Sequence, residues 1–272
     1  MKKIVLAVVM ILAVMVGRTQ SFEGTIHWNM KMEITDPKVK AQIEEAKKKA
    51  ADPANQAKMK EMQAKMNDPQ FKAMLDSNPQ MKAQMEAMMK IIAGGDMSSM
   101  MPSGIVIKLK GGNSLTSIQG GLMDKNDVLY LSDKDVTYTI NHPAKSYVIM
   151  AKSTGPSTSD RKPKVTKTSE TATILGHTCT KYLIETPGLD GKSITTNYWA
   201  TTEIKDIDMK ALAKQHMAKD QTFIYPEVDG VPLKMEMMMP QGTMTMEVAE
   251  IKKSSIPASD FTLPAGYAET KI

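Results

Sequence analysis

The feature that most constrains this chain is a change of period. From Phe22 to Ile34 apolar and polar side chains alternate, placing Phe22, Gly24, Ile26, Trp28, Met30, Met32 and Ile34 on one face. A repeat of two marks a half-buried β-strand. At Asp36 the alternation stops. Residues 36–92 are rich in Lys, Ala, Gln, Glu and Met, which favour helix. Alternation returns at Ile105 and recurs in short runs almost to the end of the chain. This order predicts an α+β fold: one large antiparallel sheet with a Met-rich helical insertion after its first strand.

The insertion is punctuated by Asp36-Pro37, Asp52-Pro53, Asp68-Pro69 and Asn78-Pro79. Asp or Asn caps an orphan backbone N–H at a helix start, and Pro at the next position has no N–H to orphan. The first three starts lie 16 residues apart, a weak internal repeat of short helices. Strands are expected at Ile105–Lys110, Ser114–Gln119, Val128–Ser132, Val136–Ile140 and Ser146–Met150, with turns at Gly111-Gly112 and Gly120-Gly121. After a polar loop at residues 153–164, further strands are expected at Lys164–Ala172, Thr178–Glu185 and Ser193–Ala200. A short helix is expected over Ile207–Lys219, then a hairpin of Val231–Met239 and Thr243–Ile251. Phe261 to Tyr267 (FTLPAGY) reads as a clamp over the sheet edge.

Residues 1–21 have the form of a cleavable signal peptide. Lys2 and Lys3 precede an apolar run, Ile4 to Val16, and small residues Thr19 and Ser21 flank a cut before Phe22. The run is shorter than the roughly 20 apolar residues a spanning helix needs. Export to the periplasm is therefore expected, with residues 22–272 as the mature domain. Losing Lys2, Lys3 and Arg18 takes the formal charge from +5 to +2. A nearly neutral chain with interspersed charges offers no footprint for nucleic acid. Cys179 is the only cysteine, so no internal disulfide can form and the fold must stand on packing. With His177 on the same strand face it could serve as a nucleophile or metal ligand; a small buried core residue is the other reading.

Aromatic core material is scarce, with four Phe, two Trp and seven Tyr, whereas methionine numbers 26. It concentrates in two places. In the insertion Met59, Met62 and Met66, then Met81, Met85, Met88 and Met89, recur at helical spacing around Phe71, Met74 and Leu75. In the hairpin Met235, Met237 and Met239 alternate on one strand, and Met244 and Met246 on the other. Three uses fit such faces. Methionine fills irregular cores; its flexible thioether lines adaptable grooves for apolar cargo; and it is a soft ligand for Cu(I). Against the last, His27, His142, His177 and His216 are scattered. No cofactor is implied. Trp28, Tyr198 and Trp199 are candidate aromatic lining beside the hairpin methionines and Met81, Met85 and Met88.

Catalytic signatures are missing: there is no G-x-S-x-G, H-E-x-x-H, phosphate-cradling loop or C-x-x-C. Asp133 with Asp135, and Glu203 with Asp206 and Asp208, are spaced as solvated loop charges are. No catalytic residue is therefore assigned.

Two resemblances add to this. Asn67 to Lys90 (NDPQFKAMLDSNPQMKAQMEAMMK) resembles the heat-shock-chaperonin-binding helical motif of ubiquilins and stress-inducible co-chaperones, which implies a groove for apolar segments. Four pieces, Thr173 to Tyr182 (TILGHTCTKY), Asn197 to Thr201 (NYWAT), Gly230 to Lys234 (GVPLK) and Phe261 to Tyr267, resemble the exported bacterial family called domain of unknown function 4412. That family is similar in pattern to the LolA/LolB lipoprotein carriers. The resemblance implies a half-barrel sheet around an apolar cavity. The expected function is non-enzymatic binding of a hydrophobic ligand: lipid, a lipoprotein acyl chain or an apolar peptide. A Cu(I)-handling protein, or an envelope structural or assembly protein without a small ligand, remain the alternatives.

Overall fold

The computed structural model describes residues 21–66, 68–77, 81, 85, 89, 101–121, 123–150, 163–187, 193–209, 212, 224–225 and 227–270. The signal-peptide expectation and the helix start at Asn78-Pro79 lie outside them, as does most of the helix expected at Ile207–Lys219, of which Met209 and Leu212 are helical.

The first period-two run forms β1 (Gly24–Ile34). Three helices follow: α1 (Pro37–Ala51), α2 (Pro53–Met66) and α3 (Pro69–Ser77). Each starts by the same device. Asp36 Oδ1 accepts from the N–H groups of Lys38 and Val39, at 2.7 and 3.1 Å. Asp52 does the same for Ala54 and Asn55, and Asp68 for Gln70 and Phe71. Helix α1 buries no side chain, whereas Leu75 of α3 is fully buried.

The remaining strands are β2 (Gly104–Lys110), β3 (Asn113–Gln119), β4 (Asn126–Leu131), β5 (Val136–Asn141), β6 (Ser146–Met150), β7 (Lys164–Ile174), β8 (His177–Pro187), β9 (Ser193–Thr201), β10 (Val231–Met239), β11 (Gly242–Lys253) and β12 (Ala268–Glu269). All twelve join one open sheet in the order β12-β6-β5-β4-β3-β2-β1-β11-β10-β9-β8-β7. Every pairing is antiparallel except β12 with β6. Two meanders of five strands thus flank β1, which pairs on one side with the strand that follows the insertion and on the other with β11. Among the described residues β7 is an edge strand; it is polar and carries a bulge between Lys167 and Thr171, features that discourage edge-to-edge pairing.

Register decides which residues share a face, because directly opposed side chains point the same way and successive ones alternate. Ile26, Ile107, Thr116 and Val128 lie on one rung, so Leu129 faces the other side. The sheet accordingly carries a core on each face. The larger, with Ile26, Trp28, Leu109, Ile184, Tyr198, Leu233, Met235 and Val248, spans β1, β2 and β8 to β11. The smaller sits on the opposite face of β4 and β5, where Leu129, Leu131, Tyr138 and Ile140 meet Ile256 and Phe261 of the C-terminal tail. The tail is also pinned by polar contacts. Lys108 pairs with Asp260 at 2.7 Å, and Glu23 accepts from both Lys110 Nζ and the Ile256 N–H. His142 bridges Asp127 and the Tyr267 hydroxyl at 2.8 and 2.9 Å.

Candidate functional site: a methionine-lined sheet face

Methionines from three strands meet on the face of the larger core. Met30 of β1 opposes Met246 of β11, which opposes Met235 of β10. Two residues along each strand, Met32 opposes Met244, which opposes Met237. Two rungs of three thioethers therefore lie side by side. Met239 begins a third rung with Gly242 and Ile34, where a Cβ on Gly242 would overlap the Glu33 carbonyl oxygen and so hold β1 and β11 apart.

The rungs differ in exposure. Met235 and Met246 are 2% and 3% exposed and belong to the buried cluster. Met32, Met237, Met239 and Met244 are half-buried. Burial declines from the Met30 rung toward the end of β1, where Thr35 and Asp36 donate backbone hydrogen bonds to the Gln241 carbonyl and the insertion departs.

Aromatic residues divide between the faces. Tyr198 extends the inner rung across β9, next to Met235, and Tyr182 extends it across β8. Tyr198 is 1% exposed, stacks edge-on against Tyr225 at 5.6 Å, and burial drives its phenol far above the ordinary tyrosine range. Trp28 lies one rung further in, opposite Val248. Trp199, one residue after Tyr198, takes the opposite face. There the ammonium groups of Lys181 and Lys234 stand 5.6 and 5.5 Å from its ring. The structure therefore removes Trp199 from the methionine face: the choice by residue type overlooked strand parity.

The insertion methionines form no part of this face among the described residues. Met85 lines a separate hollow of about 510 Å³ with Glu61, Ala64, Lys65, Asp68 and Phe71. Met81 is exposed, and Met88 lies outside the described residues.

Five of the remaining polar candidates, Cys179, His177, Glu203, Asp206 and Asp135, have structural partners. Cys179 is wholly buried, and burial, ahead of the nearby Glu203 charge, pushes its thiol up. Its Sγ–H points to the His177 carbonyl oxygen, while the His177 ring pairs with Glu203 at 2.9 Å. The hydrogen bond to His177 is the main cause holding the Glu203 carboxyl below its usual range. Asp206 binds Lys253 at 2.7 Å, and Asp135 accepts from the Tyr130 hydroxyl. Among the described residues no group of three or more His, Cys, Asp or Glu side chains is placed to hold a metal, and no helix is long and apolar enough to cross a membrane.

The fold and this face define a class: an open, almost entirely antiparallel sheet with an apolar, partly accessible face on its central strands. The chain belongs to the family described as Domain of unknown function (DUF4412), whose model matches residues 106–267. No curated protein matches the sequence. Among solved structures it is similar to PNGF-II at 15% identity and a TM-score of 0.34, over 62% of this chain and 28% of that one. This chain thus spans under a third of that protein's length. It is also similar to LprF from Mycobacterium bovis, at 13% identity and a TM-score of 0.28, over 63% and 85% of the two chains. A LolA superfamily protein, NE2245 from Nitrosomonas europaea, matches at 12% identity and a TM-score of 0.24, over 58% and 80%.

Proposed function

We propose that this is an exported, non-enzymatic binding protein. Its twelve-stranded sheet curves as a LolA-like half-barrel, and its methionine face holds an apolar ligand: lipid, a lipoprotein acyl chain or an apolar peptide. One observation carries the reading. Six methionines from three strands form two rungs that pass from buried to half-exposed. Methionine is unbranched and polarizable, so a face built of it repacks around differently shaped partners at little cost. An apolar face that reaches the surface is also more costly to leave unused than a closed core. Export to the periplasm follows in this reading from the form of residues 1–21. A binding role fits the polar candidates, since the Cys179 thiol is buried and the His177 ring is committed to Glu203.

Native mass spectrometry of protein purified from its host envelope tests this, together with titration of a fluorescent apolar dye. Co-purifying lipid or peptide is expected, along with dye binding that Met237→Glu or Met244→Glu removes. A protein that arrives empty and binds the dye no better than those variants overturns the proposal.

A further inference from the structure

The face that carries the methionines changes character across β3, β4 and β5. Leu109, Ser114, Tyr130 and Thr137 form one rung there, and Ile107, Thr116, Val128 and Thr139 the next. Ser114, Thr116, Tyr130 and Thr137 are 1%, 4%, 5% and 2% exposed, yet Tyr130 belongs to neither apolar core. Buried hydroxyls are ordinarily hydrogen-bonded, because an unpaired one forfeits its contacts with water. Tyr130 follows that rule and donates to Asp135 at 3.1 Å. Ser114 Oγ and Thr137 Oγ1 do not: neither has a hydrogen-bond partner among the described residues.

We propose that Ser114 and Thr137, on either side of Tyr130, form a polar subsite for the uncharged head of a glyceryl ester, an acyl chain esterified to glycerol. The inference rests on the apolar-ligand reading of this face and adds the ligand's polar end. Charge and spacing select that head. β3 and β5 contain no charged residue, and the one in β4, Asp127, faces the other side of the sheet and pairs with His142. A carboxylate or phosphate would thus meet the Asp135 carboxylate at the Tyr130 hydroxyl and no cation from these strands. Adjacent strands lie about 4.8 Å apart, so the two hydroxyls, two strands apart, stand roughly 10 Å from each other. Through hydrogen bonds of about 2.7 Å they reach ligand atoms about 5–10 Å apart. A glyceryl ester carries a carbonyl oxygen and free hydroxyls over such a span. Half-buried Val128, Val148 and Met150 adjoin the hydroxyls on the same face and offer the acyl chain an apolar bed.

The test compares three ligands of one chain length by isothermal titration into the whole mature chain. These are monooleoylglycerol, oleate, which is charged, and methyl oleate, which keeps the carbonyl but has no hydroxyl. Wild type is expected to bind monooleoylglycerol about tenfold more tightly than either of the others. The variant carrying Ser114→Ala and Thr137→Val should lose that preference. Without ligand its urea midpoint should equal or exceed that of wild type, because removing a buried hydroxyl that has no partner costs no hydrogen bond. Equal binding of oleate or methyl oleate by wild type, a preference that survives the double substitution, or a lowered midpoint each overturns the subsite. The mass of the ligand co-purifying from the envelope separates a free acylglycerol from a protein-linked glyceryl ester, and a ligand without a glyceryl ester also overturns it. Binding of the apolar dye with no preference for the glyceryl head counts against the subsite alone. Absence of both dye and acyl binding overturns the apolar-ligand reading as well.

Discussion

Truncating the methionines one at a time should separate core from site. Met235 and Met246 are 2% and 3% exposed, so Met235→Ala or Met246→Ala removes fully packed methylene and thioether groups and leaves a void. Such a change costs about 2–5 kcal/mol. Met32 and Met244 are half-buried at the end of the face, where a shortened side chain leaves a dent open to water. At about 25 cal/mol per Å² of apolar surface, losing half the burial of one such side chain costs roughly 1 kcal/mol. Urea unfolding monitored by tryptophan emission measures the difference as a shift in midpoint at constant slope. In a thermal scan, a chain this size should lose about 2–4 °C per kcal/mol. Leucine at the inner positions keeps volume and should cost less than about 1.5 kcal/mol. If Met32→Ala proves as costly as Met235→Ala, the outer rung is core, and the apolar-ligand role proposed for this face loses its physical basis.

Glu23 links β1, β2 and the tail. The Ile256 N–H first, and Lys110 second, hold its carboxyl below the usual range. A lowered value contributes stability that is present above the ordinary carboxylate range and lost as pH falls through the folded value. The stability gap between wild type and Glu23→Gln should therefore be widest near neutrality and close in acid, read as urea midpoints across pH. Cys179 is wholly buried with its thiol raised, so a disulfide reagent should leave it untouched in the folded protein and modify one thiol after unfolding. Lys181→Ala and Lys234→Ala each strip one cation from the Trp199 ring, at about 0.5–1 kcal/mol. Both should alter Trp199 emission and leave apolar-dye affinity unchanged, since that ring faces away from the methionines; a weakened dye affinity would contradict the face assignment.

Much of this fold is legible in local pattern. Every expected strand from Ile105 to Ile251 is present within two residues of its reading, because half-buried strands announce themselves through period two. The Asp-Pro starts at Asp36, Asp52 and Asp68 are helix caps for the reason their chemistry gives. The tail from Phe261 to Tyr267 does clamp the sheet, by packing Phe261 into the smaller core and hydrogen-bonding His142. What local pattern misses is pairing across distance. The hairpin shows that Met235 opposes Met246, but nothing near Met30 says that it joins them from more than 200 residues away. That placement follows from the topology, in which the first strand is inserted between the two meanders. Trp199, expected to line this face, falls outside it for a simpler reason: its neighbour Tyr198 takes the inner face, and parity leaves one of the two outside.

Strand direction makes the methionine face more than a coincidence of composition. β1 and β10 run the same way on either side of β11, so position along one strand maps onto position along the others. At the buried end the shared face carries Ile26, Trp28, Leu233 and Val248, dominated by branched or rigid groups with few rotamers. Next along the face come Met235 and Met246, still buried, and then the half-buried Met30, Met32, Met237, Met239 and Met244, all with many rotamers. Rigidity and burial therefore fall together along one axis. A core under selection for stability alone gains nothing from placing its most flexible side chains together where water begins, because each loses rotamer entropy for incomplete burial. A face that must stay attached at one end and adapt at the other requires that order. Exchanging the two sets should test it: moving Ile or Val onto the outer rung is expected to stabilise the free protein while narrowing the range of apolar ligands it accepts, and an unchanged ligand range would show that flexibility there serves no binding role.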